Sequence, residues 1–376
     1  MILTQCACCA APLPHLAKQC SRCKTRYCGP ACQAQHWKEG GHDKVCKKIK
    51  RGGGAEQYHA DKQYKEAVKV AVEKCADDTK GQTCYICTEA VHWKTKEGLV
   101  RGCSCRGTSG FAHVSCLTEQ AKILVAEGEE NNLDDEEFNE RFDRWHTCSL
   151  CEQQYHGVVR CALGWACWKT YVGRPEDQTQ CMAMNLLGTG LQNVERHADT
   201  LSVREAELSM ERRLGSTEDT ILIVKSNLAT SYGNVGQLEK ALRMRRDVYS
   251  GRLKLSGEEH FNTLVAASNY AESLVVRERY AEAKALWLKT ISVARRVFGD
   301  RAVLTLKLNS SYARGLNGDP NATVDDLCEA VTTLEETMPT ARRVLGGAHP
   351  VTADIEKRLR TSRVALRARE TPPRSA

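Results

Sequence analysis

Twenty of the 376 residues are cysteine, and most of them stand in close pairs within the N-terminal half of the chain. A Cys-x2-Cys turn directs two thiolates at one point, where zinc binds sulfur at about 2.3 Å, so two such pairs complete a tetrahedral site. The N-terminus lacks the basic region and apolar stretch of a secretory signal. Since disulfides persist mainly in oxidising compartments, this pattern favours zinc thiolates in an intracellular protein, either cytoplasmic or nuclear.

The first block of cysteines spans residues 6–46 and contains four ligand pairs. They are Cys6 with Cys9, Cys20 with Cys23, Cys28 with Cys32, and His42 with Cys46. Eight ligands fill two tetrahedral zinc sites. Cys8 offers a further thiol in this block, and the Cys-x2-Cys spacing favours Cys9 as the ligand.

The residues around these ligands resemble the MYND zinc finger, with Tyr27, Gln33 and Trp37 at matching positions between the pairs. The resemblance implies that the pairs interleave, so that one zinc is held by Cys6, Cys9, Cys28 and Cys32 and the other by Cys20, Cys23, His42 and Cys46. MYND fingers dock short proline-rich peptides, and Gln33 and Trp37 lie where such a groove would form. Packing of Trp37 against the zinc site is the alternative.

The second block spans residues 84–151 and offers four cysteines, one histidine and three more cysteines. These are Cys84, Cys87, Cys103, Cys105, His113, Cys116, Cys148 and Cys151. PHD fingers share this order, but their histidine follows the fourth cysteine more closely. The Cys-x-Cys pair, Gly107 and the phrase His113–Leu117 resemble the RING-CH variant found in membrane-associated and viral ubiquitin ligases. The resemblance implies a cross-brace, in which one zinc is held by Cys84, Cys87, His113 and Cys116 and the other by Cys103, Cys105, Cys148 and Cys151.

Together the two blocks predict four zinc ions. A site closed by four protein ligands has no position for a reactive water, so it stabilises structure and performs no hydrolysis. The chain also lacks the G-x-S-x-G, G-x4-G-K-[ST] and H-E-x2-H motifs. We therefore predict no catalytic residue that belongs to the protein itself.

The RING-CH resemblance implies a function without covalent chemistry, in which the module docks a ubiquitin-conjugating enzyme and holds its thioester in a reactive pose. Ile86 occupies the position expected to contact that enzyme, and Leu150 is expected to support the same patch. The sequence departs from the pattern at Gln120, where RING-CH proteins commonly carry Trp, and at Glu152, where many active RINGs carry a basic residue. Trp145 is a candidate to replace the missing aromatic. Two functions follow: a RING-type ubiquitin ligase, or a non-catalytic, zinc-stabilised interaction scaffold.

The remaining sequence has helical periodicity. Apolar residues at three- and four-residue steps from Tyr64 to Cys75 predict an amphipathic helix after the flexible Gly52–Gly54 joint. The acidic stretch 127–143 is expected to be a solvated loop or helix face. From about residue 185 the sequence repeats, since Ser226–Ala229 recurs as Ser268–Ala271 at an offset of 42.

A repeat of this length with two helices in each unit predicts stacked helical hairpins. It resembles the tetratricopeptide family, particularly the 42-residue repeats of kinesin light chains. An insertion at 317–321 lengthens the last offset to 47, and Gly188-Thr189-Gly190 is expected to be a turn between repeat helices. Such stacks present a concave surface to peptides or partner helices. Asn227, Asn269 and Lys307 are expected near that surface.

The predicted fold class is a multi-domain chain with two small zinc-stapled modules followed by an all-α solenoid of helical hairpins. We expect a MYND-type finger at 1–50, a Gly linker and amphipathic helix at 51–82, a RING-CH-type finger with an acidic insertion at 83–170, tetratricopeptide-like repeats at 185–357, and a frayed basic tail at 358–376.

The composition of the chain favours proteins as its binding partners over nucleic acid or a membrane. The net charge of +7, from 54 Lys+Arg against 47 Asp+Glu, is too small to indicate nucleic acid, and no basic helix is interleaved with aromatics. No apolar run approaches the roughly 20 residues of a membrane span. The longest candidate, 157–168, is short and contains Arg160.

Overall fold

Helices dominate the computed structural model, which describes residues 5–11, 13, 16–347 and 349–370. These residues form fifteen α-helices and one short antiparallel β-hairpin. The chain divides into two units, residues 1–216 and 217–376. Among the described residues, none of the helices combines the length and the apolarity that crossing a membrane requires.

The first unit begins with the β-hairpin, in which β1 (Lys18–Gln19) pairs with β2 (Arg26–Tyr27). Eight helices follow: α1 (Pro30–Lys38), α2 (His42–Arg51), α3 (Ala55–Cys75), α4 (Val114–Glu130), α5 (Asp135–Phe142), α6 (Gly157–Tyr171), α7 (Gln178–Asn193) and α8 (His197–Leu214). Helix α3 confirms the amphipathic helix predicted between the cysteine blocks, and it buries Val68, Ala71 and Cys75. The acidic stretch forms the end of α4 and the exposed helix α5, whose first turn is capped by the side chain of Asp134.

Helix α6 is the centre of the first unit. Nearly every residue of α6 is buried, because α3, α4 and α7 pack around it. Its contact with α7 is close: a Cβ added to Gly190 would lie 2.9 Å from the backbone oxygen of Arg160 and from the Cα of Cys161. The prediction of a turn at 188–190 is therefore wrong. These residues lie inside α7, where the lack of a side chain at Gly190 allows the two helix backbones to approach.

The second unit consists of seven helices, each packed on the next. They are α9 (Glu218–Asn234), α10 (Leu238–Ser256), α11 (Phe261–Val276), α12 (Tyr280–Phe298), α13 (Val303–Gly318), α14 (Val324–Leu345) and α15 (Pro350–Glu370). Gly257, Gly299 and Gly346 follow alternate helices with φ of 79°, 82° and 85°, a conformation that glycine adopts without strain. Their spacing of 42 and then 47 residues confirms the repeat read from the sequence.

The ends of the repeat region differ from the prediction. Helices α7 and α8, which include the first predicted repeat residues, belong to the first unit. At the other end, residues 358–370 are not a frayed tail but the C-terminal part of α15, where Leu359 and Ser362 are buried. The apolar residues on one face of α15 cover α13 and α14, which explains its order. Residues 371–376 lie outside the described residues.

Replacing Gly190 by alanine is expected to destabilise the first unit by about 1–3 kcal/mol, since the methyl group would overlap the backbone of α6. Gly233→Ala is the matched control, because Gly233 also lies within a helix but an added Cβ meets nothing within 4 Å. That change should stabilise α9 by about 0.5–1 kcal/mol through helix propensity. Differential scanning calorimetry measures both, and equal shifts of the same sign would contradict the close α6–α7 packing.

Candidate zinc centres and an adjacent groove

Four short turns place the four Cys-x2-Cys pairs at 6/9, 20/23, 84/87 and 148/151. In the turn at Cys84, the backbone N–H of Cys84 donates to the oxygen of Glu89 (3.0 Å) and the N–H of Thr88 donates to the oxygen of Cys84 (2.8 Å). The same two hydrogen bonds recur in the turns that begin at Cys6, Cys20 and Cys148. The fifth residue of each turn has positive φ, between 54° and 65°. This conformation turns the chain so that both cysteine side chains of a pair point to one side.

The sixteen candidate ligands come together in four groups, with the ligand atoms of each group within 4.8 Å of one another. The groups are Cys6, Cys9, Cys28 and Cys32; Cys20, Cys23, His42 and Cys46; Cys84, Cys87, His113 and Cys116; and Cys103, Cys105, Cys148 and Cys151. In each module the cysteine pair of the first turn belongs to one group and the pair of the second turn belongs to the other. Each group therefore joins segments that are distant in sequence. Four groups of this kind can hold four zinc ions.

The distances fit zinc. Tetrahedral bonds of about 2.3 Å place two sulfurs about 3.8 Å apart. The Sγ atoms of Cys9 and Cys28 are 3.7 Å apart, and those of Cys105 and Cys148 are 3.8 Å apart. His42 presents Nε2 at 3.4 Å from its cysteine neighbour, whereas His113 presents Nδ1 at the same distance. Two different imidazole nitrogens therefore serve the two modules.

Zinc needs thiolate sulfur and neutral imidazole. One cysteine in each group has a lowered pKa, namely Cys6, Cys20, Cys84 and Cys151, whereas burial and neighbouring thiols raise the pKa of other cysteines in the same groups. Burial opposes the charged form of Cys6, but hydrogen bonds from the backbone of Cys9, Cys28 and Cys8 outweigh it and lower the pKa of Cys6 to about 6. Burial lowers the pKa values of His42 and His113, which keeps both rings neutral at neutral pH. Each bound zinc would supply structural cross-linking, since all four positions are protein ligands.

Cys8 lies outside the four groups, and its Sγ is 3.5 Å from the Oε1 of Gln35. If Cys9 is the ligand, Cys8→Ser should leave about four zinc ions per chain, whereas Cys9→Ser should weaken the first group and reduce the content toward three. Elemental analysis of the reduced protein measures this. Loss of zinc from the Cys8 variant with retention in the Cys9 variant would reverse the assignment.

The two peptide-contact candidates of the first module, Gln33 and Trp37, both lie on α1. The Trp37 ring packs with its centroid 5.7 Å from that of His42 and remains partly exposed. Helix α1 is held against the zinc group by His36, whose Nδ1 is 2.9 Å from the buried Tyr27 hydroxyl. Trp37 is thus placed both to cover the zinc group and to offer an apolar surface to a ligand.

A groove of about 440 Å³ lies beside the first zinc group of the second module. The turn at Cys84 forms one side of this groove with Ile86, and α4 forms the other with Gln120 and Ile123. Trp93, from the loop between the first two ligand pairs, also lines it and is 67% exposed. Both zinc ligands Cys87 and Cys116 reach the groove wall. The groove is therefore an exposed apolar surface beside a candidate zinc group.

The other residues considered for this surface lie elsewhere. Leu150 is exposed on the turn at Cys148 and is not among the residues that line the groove. Trp145 cannot replace the missing aromatic, because it is fully buried with its Nε1 3.2 Å from the Tyr171 hydroxyl. Sequence reasoning missed Trp93 and Ile123. A large apolar residue in a turn between ligand pairs was the available signal for Trp93.

The comparisons with known proteins concern the helical repeats. A tetratricopeptide repeat family model matches residues 263–301, which span most of α11 and all of α12. With the 42-residue period, this match identifies the second unit as tetratricopeptide-like repeats. Such repeats and the four Cys/His groups are the parts of an interaction scaffold. No curated protein matches the sequence.

Solved structures with similar helical repeats are distant in sequence. BtubC (BKLC) from P. vanneervenii is 12% identical over 70% of this chain and 96% of its own, with a TM-score of 0.42. A kinesin light chain with nearly identical TPR-like repeats from Podosopora anserina is 14% identical over 61% of this chain and 97% of its own, also with a TM-score of 0.42. The TPR2AB domain of yeast Sti1, in a complex with pHSP90, is 11% identical over 66% of this chain and 99% of its own, with a TM-score of 0.24.

Proposed function

We propose that this scaffold is a RING-type ubiquitin ligase, in which a RING-CH-type second module docks a ubiquitin-conjugating enzyme in the groove beside Cys87 and Cys116. The groove carries the proposal, because it leaves Ile86, Trp93 and Ile123 exposed next to a rigid zinc group. Clustered apolar side chains in water mark interaction sites. The ligase needs no catalytic residue of its own, since holding the enzyme's thioester near a target amine accelerates transfer by positioning.

The rest of the chain would select the target. In the second unit, a groove of about 310 Å³ between α11 and α13 is lined by Asn269 and Lys307 together with Phe261 and Val303. This mixture of amide, ammonium and apolar groups suits an extended peptide segment. A MYND-type first module would add a second peptide site at Gln33 and Trp37. The protein would then act in the cytoplasm or the nucleus, where conjugating enzymes and reduced thiols are found.

A non-catalytic scaffold is the second candidate, and Glu152 favours it. Glu152 is the exposed residue directly after the last zinc ligand, and its φ of 54° is fixed by the turn at Cys148. Its carboxylate stands where the RING resemblance implies a basic residue that steadies ubiquitin. In this function the groove and the repeats would bring two proteins together without ubiquitin transfer.

Autoubiquitination with a panel of ubiquitin-conjugating enzymes tests the proposal. Ile86→Ala should reduce the rate with the preferred enzyme about tenfold, the effect of truncating a central interface residue. Val91→Ala is the matched control, because Val91 is an exposed aliphatic residue of the same segment that does not line the groove. Zinc content near four in every variant verifies the fold.

One result would refute ligase activity, and another would refute the groove as the docking site. Absence of ubiquitin conjugates with every enzyme, from protein that retains four zinc ions, would leave the scaffold as the function. Equal rates for wild type, I86A and V91A would remove the groove as the docking site. Glu152→Arg adds a directional check, since a higher rate in this variant would show that the carboxylate limits transfer.

A further inference from the structure

The second module contains a fifth turn with the geometry of the four cysteine turns but no cysteine. The N–H of His92 donates to the oxygen of Glu97 (3.0 Å), and the N–H of Lys96 donates to the oxygen of His92 (2.9 Å). Lys96 has a φ of 59°, within the range found at the equivalent position of the zinc turns. His92 and Thr95 therefore occupy the two positions that cysteines hold in the other turns.

Hydrogen bonds stabilise this turn, whereas a bound zinc ion would stabilise the four cysteine turns. The backbone N–H of Thr95 donates to Nδ1 of His92 (3.1 Å), so this nitrogen is the acceptor and the Thr95 hydroxyl also donates to it (2.8 Å). The His92 ring is buried against that of His113, with the ring centroids 5.2 Å apart. The carboxylate of Glu97 accepts the N–H of Ser115 (2.6 Å), which fastens the turn to the start of α4.

Trp93 follows the anchored His92 and projects its ring to the groove wall. We propose that Trp93 is the aromatic residue with which the groove contacts the conjugating enzyme, in place of a tryptophan on α4 at the position of Gln120. This inference rests on the proposed ligase function. Trp93 and Gln120 line the same groove but come from the turn and from the helix, respectively. The aromatic contact would then come from the turn at His92 and not from α4. The groove would therefore favour a conjugating enzyme that places an apolar side chain beside this turn.

Trp93 is suited to contact a partner because its ring is exposed and its backbone is held in place. A tryptophan with 67% of its surface in water has little packing of its own to preserve. Its backbone is fixed by the His92–Thr95 and Glu97–Ser115 hydrogen bonds, so little conformational entropy is lost when a partner covers the ring. Tryptophan is also enriched among the residues that dominate interface energies.

The test measures binding and ubiquitin transfer with the conjugating enzyme that is most active with the wild-type protein. Trp93→Ala should weaken the binding of that enzyme by about 10- to 100-fold and reduce the transfer rate in parallel. The double variant W93A/Q120W should recover a large part of both, since the new ring enters the same groove from α4. V91A should match wild type, and zinc content near four should hold throughout.

Each failure has a distinct signature. If I86A loses binding while W93A retains wild-type affinity and rate, the groove is used but Trp93 is not the contact. If W93A loses binding and Q120W restores none of it, Trp93 acts by shaping the turn, and the contact role is overturned. If no enzyme in the panel binds wild type, the proposed function and this inference fall together.

Discussion

Removal of zinc is expected to unfold residues 6–151 while the tetratricopeptide-like repeats remain helical. Structural zinc supplies about 10–16 kcal/mol per site in zinc-finger peptides, whereas a whole domain is stable by only about 5–15 kcal/mol. The described residues of the first module contain almost no other core. Its buried apolar cluster contains four zinc-ligand cysteines and only Tyr27, Ile49 and Ala55 beside them.

The second module should also unfold, although its core includes Leu99, Phe111 and Leu117 in addition to the ligands. Loss of the metal still removes the zinc cross-links between its turns and leaves buried thiols near one another. Helices α9–α15 contain none of the sixteen ligands, so their packing does not depend on zinc.

Hydrogen exchange with mass spectrometry distinguishes these regions during chelation. Protection should be lost across peptides from 6–46 and 84–151 and retained across 217–345. The control is the same chelator saturated with zinc, which should leave the exchange pattern unchanged. Simultaneous loss of protection in the repeats would contradict the independence of the two regions.

Replacing Trp287 by alanine is expected to destabilise the second unit by about 3–5 kcal/mol. Trp287 is only 1% exposed on α12, and its Nε1 lies 3.3 Å from the hydroxyl of Ser268 on α11. Its ring packs on α13 at Gly315, where even an added Cβ would overlap it. Truncation therefore leaves a cavity at the junction of three helices.

Leu288→Ala is the matched control, because Leu288 is the next residue on the same helix and is 45% exposed. Its truncation should change the stability by less than about 1 kcal/mol, as for most surface positions. Urea unfolding followed by circular dichroism measures both variants. Similar losses for the two would mean that Trp287 does not organise the core of the repeats.

Much of the candidate zinc chemistry could be predicted from the sequence, because it is local. A Cys-x2-Cys turn needs only five or six residues and its own backbone hydrogen bonds, so spacing alone reveals it. The 42-residue period is equally visible, because each repeat must bury the same face of its helices against the next. The MYND and RING-CH types of the two modules stay predictions, which rest on resemblance.

The groove could not be predicted, because its walls come from segments about 30 residues apart. Ile86 was visible as a residue inside a ligand pair, but Trp93 and Ile123 meet it only through the fold of the second module. Trp145 and Trp93 look equally available in the sequence. One is buried beneath α6 and the other projects into water, and packing alone determines which.

The sequence by itself determined the sixteen candidate zinc ligands and the helical repeats, since these depend on short-range spacing and periodicity. The tertiary structure decided where the repeats divide at residue 216, that Gly188–Gly190 lie inside a helix, and that residues 358–370 continue α15. Each of these outcomes depends on which surfaces pack together over long sequence distances. A glycine in open surroundings is typical of a turn, whereas a glycine that contacts another backbone is typical of close helix packing. The sequence does not show which backbone lies beside a glycine, and only the folded chain does.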